Sequence, residues 1–189
     1  MQSPSPSPSS VTADDVLAFW FDEIDPALWF RKDQAFDALI RERFAAVHTA
    51  AAAGELFAWR ETALGRLAEI IVLDQFSRNL FRDDARAFAS DGLALVLAQE
   101  AVRSGALDAL ETRQQPFLIM PYMHSESGLI HTEAVILFDR PGLENTLDFE
   151  HRHKAIIDRF GRYPHRNAVL GRSTTAAEEA FLKEPGSSF

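Results

Sequence analysis

Residues 33–54 read DQAFDALIRERFAAVHTAAAAG. Asp33 suits an N-cap, and Phe36, Leu39, Ile40, Phe44 and Val47 recur three or four apart, on one face of a helix. Gly54 closes the Ala-rich end, where a left-handed residue is wanted. The same pattern recurs along the chain. Thr12 caps a first turn carrying Asp14 and Asp15, followed by Val16, Leu17, Phe19, Trp20 and Phe21. Pro26 opens a short turn with Leu28, Trp29 and Phe30. Helices are expected at 61–81, 84–103, 125–138 and 144–160. A short helical piece, PFLIM, lies between Pro116 and Pro121, and Thr175 and Glu178 have capping-box spacing before a last helix. The alternating β-branched runs of strands do not occur. The expected fold is all-α, about eight helices packed as antiparallel pairs, with no fixed repeat period.

The chain has 189 residues, enough for one domain, and 47% of them are hydrophobic. The domain is expected over 11–183, between a disordered Ser/Pro tail at 1–10 and a short C-terminal tail at 184–189. The leader MQSPSPSPSS has neither the basic nor the apolar region of a secretory signal, so a cytoplasmic location is expected. No apolar run is long enough to span a membrane. A net charge of −9 argues against nucleic acid, whose non-specific binding rests on phosphate neutralisation. With no cysteine there are no disulfides, thiolate nucleophiles or cysteine metal sites. Most of the 15 Phe, 3 Trp and 2 Tyr are expected in the core. Trp20-Phe21 and Trp29-Phe30 are read as an N-terminal packing cap, with a pocket wall as the alternative.

Charge is unevenly spread. Residues 151–172 carry five Arg and one Lys against one Asp, a local +5, which leaves −14 for the rest of the −9 chain. Arginine forks match carboxylate and phosphate, so this segment is either an anion pocket or the partner of buried carboxylates such as Asp74 or Glu126. Gly161 and Pro164 break the preceding helix, which lets arginines on both sides point to one centre. Asp74, Arg78 and Arg82 lie at i, i+4 and i+8 in an apolar context, so they are expected to share a semi-buried face. Ser125 is a plausible N-cap. His124 and Glu126 suit general acid/base work. No zinc spacing is present and no metal site is expected; nothing surrounds Ser125 as a nucleophile elbow would.

Three blocks carry these groups: LDQFSRNLFR (73–82), MPYMHSE (120–126) and HKAIIDRFGRYPHRNAVLGR (153–172). With VLAFWF (16–21), LWF (28–30) and STTAAEEAFL (173–182), they closely resemble the bacterial family called domain of unknown function 924, over about residues 14–182. The resemblance implies a TPR-like all-α fold and carries no activity, substrate or cofactor. Ser77 stands where Pro is common in that family, and the Ser-Pro leader is peculiar to this chain.

Two classes of function follow. In the first, Asp74, Arg78, Arg82, His153, Arg159, Arg162, Arg166 and Asn167 bind a small phosphate- or carboxylate-bearing molecule, with His124, Glu126 or His165 as the acid/base groups. In the second, a TPR-like array clamps an acidic peptide or C-terminus with the same arginines. The plainest alternative is a structural polar network. An enclosed cavity of a few hundred Å³ favours the first, an open groove the second and complete mutual pairing the third.

Overall fold

The computed structural model describes residues 11–187, which form helices and turns with no strand among them. The Ser/Pro stretch and Phe189 lie outside the described residues. Helix α1 spans Ala13–Ala18 and runs on as a π-turn, Phe19–Glu23. Helix α2 is Gln34–Ala52. Helix α3 is Ala63–Ile71, prolonged by a π-turn, Val72–Phe76, and a last turn, Ser77–Leu80. Then come α4 (Asp91–Arg103), α5 (Gln115–Met123), α6 (Gly128–Phe138), α7 (Glu144–Phe160) and α8 (Ala176–Phe181). That makes eight helices among the described residues, joined largely by short 3₁₀ turns.

The ends form where the sequence signals them. Thr12 and Thr175 each make a complete capping box, and the Asp33 carboxylate accepts the Phe36 amide at 3.0 Å. Gly161 ends α7 with φ of 68°, a left-handed cap that turns the chain inward toward Tyr163. Other boundaries differ from expectation. Residues 84–103 split into a 3₁₀ turn, Ala85–Phe88, and a helix that starts only at Asp91. Pro121 lies inside α5 instead of ending it; its ring is buried in the core, and the helix runs on to Met123. Ser125 does not cap α6, which begins at Gly128 with Ser127 at the N-cap position.

Helix α3 is the centre of the molecule. It packs on α1, α4 and α5, while its π-turn and last turn pack on α2. Consecutive helices α4 and α5, α5 and α6, and α6 and α7 also pack together, but α1 lies on α3. The core is aromatic at its heart. Phe44 stands 4.8 Å from both Phe19 and Phe76, ring centre to ring centre. Trp20 is fully buried and meets Phe36, Phe76, Trp29 and Phe117. Trp20, Phe21 and Trp29 are therefore packing, with the Trp29 indole N–H donating to the Trp20 carbonyl at 2.9 Å, while Phe30 is exposed. A smaller cluster of Ile156, Ile157, Tyr163 and Phe181 joins α7, α8 and the segment between them.

This packing sets an expected contrast. Phe44 is 1% exposed and touches two rings, whereas Phe30 is 72% exposed. Phe44→Ala should cost about 3–5 kcal/mol in urea denaturation, and Phe30→Ala under about 1 kcal/mol. Equal losses would contradict the described core.

Candidate functional site: the His124 cleft

The π-turn in α3 decides where its polar residues go. A π-turn holds one residue more than an α-turn, so it resets which side chains face inward. Asp74 and Gln75, neighbours in sequence, are both buried, at 0% and 6% exposed. The expected shared face of Asp74, Arg78 and Arg82 is split. Arg78 stays beside Asp74, at 3.6 Å, and reaches α4. Arg82 lies past the end of the helix and turns to α2, where its fork holds Asp37 at 2.6 Å through two nitrogens.

Asp74 sits under His124. The His124 Nδ1 is 2.6 Å from Asp74 Oδ1, and the Gln75 amide donates to Oδ2 at 2.6 Å. Burial pushes the Asp74 carboxyl up, but His124 and Arg78 beside it, with the hydrogen bonds from His124 and Gln75, outweigh it and hold it at about 2. Asp74 is therefore a carboxylate that accepts the Nδ1–H. That fixes the tautomer, with the proton on Nδ1 and not on Nε2.

Next to this pair stands a second buried relay. Arg78 donates to both Asp91 oxygens, at 2.6 and 3.0 Å, and Arg166 donates to Asp91 at 3.2 Å. Burial is the main influence lowering the Arg166 hold on its proton, and Asp91 opposes it. The Arg166 guanidinium lies between the rings of Phe88 and Tyr163, 4.5 and 4.6 Å from their centres. Glu126 is held by Arg172 at 2.6 and 2.9 Å and by the Tyr163 amide at 2.7 Å.

Between these groups is a cleft of about 350 Å³. Its polar corner is His124, Ser125, Glu126, Asp91 and Arg166, and its walls are Ala85, Phe88, Ala89, Gly92, Leu95 and Leu170. The three sequence blocks do meet here, through Asp74 with His124, Glu126 with Arg172, and Arg166 with Asp91 and thereby Arg78.

Of the residues expected to bind a ligand, His124, Glu126 and Arg166 line the cleft, and Asp74 and Arg78 stand behind it. The others lie elsewhere. Arg162 forks onto Glu178 at 2.6 and 2.9 Å, joining α8 to the turn after α7. Arg82 is taken by Asp37. Arg159 is exposed over the rings of Phe160 and Phe181. Asn167 accepts from Arg172 at 3.0 Å and so orients the partner of Glu126. His153 is packed beside Tyr163 and donates to the Phe149 carbonyl at 2.7 Å. His165 lies against the Tyr163 ring, outside the lining. The sequence reading missed Asp91, Phe88, Leu95, Leu170 and the role of Arg172. Asp91 carries the only hint, as an acid in a first helical turn, and that position needs no arginine partner. No group of three His, Asp or Glu suited to a metal occurs among the described residues.

Residues 16–186 match the profile of the family described as bacterial protein of unknown function (DUF924). The chain belongs to that family. A solved structure of the protein of unknown function ATU0120 from Agrobacterium tumefaciens is 40% identical and superposes with a TM-score of 0.86. The match covers 90% of this chain and 96% of the other. No curated protein matches the chain. No helix among the described residues is long and apolar enough to cross a membrane.

Two histidines of the third block give the fold a pH dependence. Burial, foremost, lowers His165 to about 4 and His153 to about 3, from an ordinary 6.5. Both are neutral in the folded chain and take up protons once it unfolds. Stability is therefore full above about pH 6.5 and falls as pH drops toward 4, by up to ~1.4 kcal/mol per pH unit for each. Asp74, lowered from 3.8 to about 2, adds its loss only below that range. The urea midpoint should fall between about pH 7 and 5, and less steeply in His153→Gln. An unchanged wild-type midpoint over that interval would contradict the assignment.

Proposed function

We propose that this protein binds a small organic acid in the His124 cleft and that His124, held by Asp74, is the proton-exchanging group there. The observation that carries this is the orientation of one imidazole. A fully buried carboxylate takes Nδ1, and the same ring lines an open cleft of about 350 Å³. His131 makes the same contact with Glu150 at 2.6 Å, but its ring is buried; His124 alone of the two lines the cleft. Where an imidazole passes a proton in catalysis, a carboxylate behind it does this same orienting work. The volume is at the lower end for small-molecule sites, and a polar corner facing apolar walls is their usual composition.

The acid group would meet Nε2 of His124, with Arg166 beside it. The other arginines are not the clamps. Arg78, Arg82, Arg162 and Arg172 are each forked onto a carboxylate, which assigns them to the frame. These four pairings count against the peptide-clamping alternative as well.

Gly92 provides a test that leaves the polar groups alone. It lines the cleft within α4, and a Cβ built there meets nothing within 4 Å. Gly92→Leu should fold at least as well, since Gly is a poor helix residue, and should obstruct the cleft. In a thermal-shift screen of small carboxylates, a true ligand stabilises the wild type by about 2.7 kcal/mol at a hundredfold excess over Kd. Gly92→Leu and His124→Asn should both abolish that response, and Arg162→Ala should keep it at a lower starting midpoint. A response that survives Gly92→Leu places binding elsewhere.

A further inference from the structure

The charges around the cleft can be balanced group by group. From α3 come Asp74 and Arg78, from α4 Asp91, and from the segment after α7 Arg166 and Arg172; Glu126 precedes α6. Three carboxylates thus face three guanidiniums. Arg78 and Arg166 share Asp91, Arg78 also touches Asp74, and Arg172 holds Glu126.

The remaining titratable groups near His124 add no net charge. On α6, His131 is 2.8 Å through Nε2 from the Ser125 carbonyl, so that nitrogen carries a proton. Its Nδ1 is 2.6 Å from Glu150 of α7, a contact that needs one proton between them. The pair is therefore neutral overall, whichever partner holds that proton. The Tyr163 hydroxyl donates to the Met123 carbonyl and is likewise neutral. His153 on α7 and His165 are buried beside the Tyr163 ring in their neutral form.

The frame is thus electrically complete when the His124 ring is neutral, and has one positive charge to spare when Nε2 is protonated. An anion entering a partly dehydrated cleft needs its charge matched there. His124 can match one negative charge and no more. The walls add a second constraint. Phe88, Leu95 and Leu170 offer apolar surface and no donor, so they suit a hydrocarbon body.

Resting on the cleft reading above, we infer that the ligand is a monoanionic carboxylic acid with an apolar body, taken up together with one proton on His124. The carboxylate enters, Nε2 gains a proton from solvent, and the bound pair is Nε2–H⁺ against the carboxylate. A phosphate dianion leaves one charge unmatched. An amine meets the wrong sign, and an alcohol lacks the charge that draws the proton.

Calorimetry on the full chain tests this with hexanoate, acetate, hexanol, hexylamine and inorganic phosphate at about pH 7. Each titration is run in two buffers of different ionisation enthalpy. Hexanoate should bind tightest, and its heat should differ between the buffers by uptake of close to one proton. Its affinity should fall about tenfold or more on raising the pH by two units. In His124→Asn the buffer dependence should vanish and the affinity drop. Should that variant misfold, Gly92→Leu supplies the control, removing the hexanoate heat and its buffer dependence together. Phosphate binding tighter than hexanoate, or hexanoate binding without proton uptake, overturns the ligand class while leaving the cleft as a binding site. If none of the five binds the wild type, the cleft reading itself falls with it.

Discussion

A carboxylate with no contact to water stands at the middle of this molecule. Asp74 is 0% exposed and remains ionised, so the fold must bring it compensating charge and hydrogen bonds or lose stability. His124, Arg78 and Gln75 supply them, from two helices and the π-turn between the helical parts of α3. The π-turn is what makes the arrangement possible, because it turns Asp74 inward from a helix whose remaining surface is committed to the aromatic core. The apolar core and the polar frame therefore share one element. A defect in α3 should be felt in both.

The arginines follow from the same constraint. Arg78 answers Asp74 and is itself held by Asp91, which also takes Arg166; Arg172 answers Glu126, and Arg162 answers Glu178. Apart from Arg78 with Asp74, four residues apart, each pair ties different elements, so this network fixes tertiary arrangement more than it adds net energy. What it leaves over is one imidazole, with Nδ1 committed to Asp74 and its ring lining the cleft.

The helices were legible because burial imposes a period of 3.6 on apolar residues, and the capping residues Thr12, Asp33 and Thr175 mark their starts. The two π-turns were not, since one extra residue leaves the local composition unchanged while rotating everything after it. Nor was the end of the helix at Leu80 legible, and that end takes Arg82 off the face it was expected to share with Asp74. His124, Glu126 and Arg166 stood out as polar residues in apolar or turn surroundings. Their partners did not: Asp91 and Glu178 look like ordinary first-turn acids, and the arginines they engage lie 13 residues away for Asp91 and 16 for Glu178. Phe88, Leu95 and Leu170 were not singled out, because spacing shows that a side chain is apolar, never which cleft it borders.

The tautomer of His124 is the most direct measure of the central claim. Nitrogen-15 NMR of the imidazole rings, assigned by comparison with His124→Asn, reports which nitrogen carries the proton above the titration of the ring. The account requires Nδ1–H, donated to Asp74, with Nε2 unprotonated and open to the cleft; in Asp74→Asn the ring should lose that preference. A wild-type ring found as the Nε2–H form would mean that Asp74 does not hold it, and the site described here would not exist.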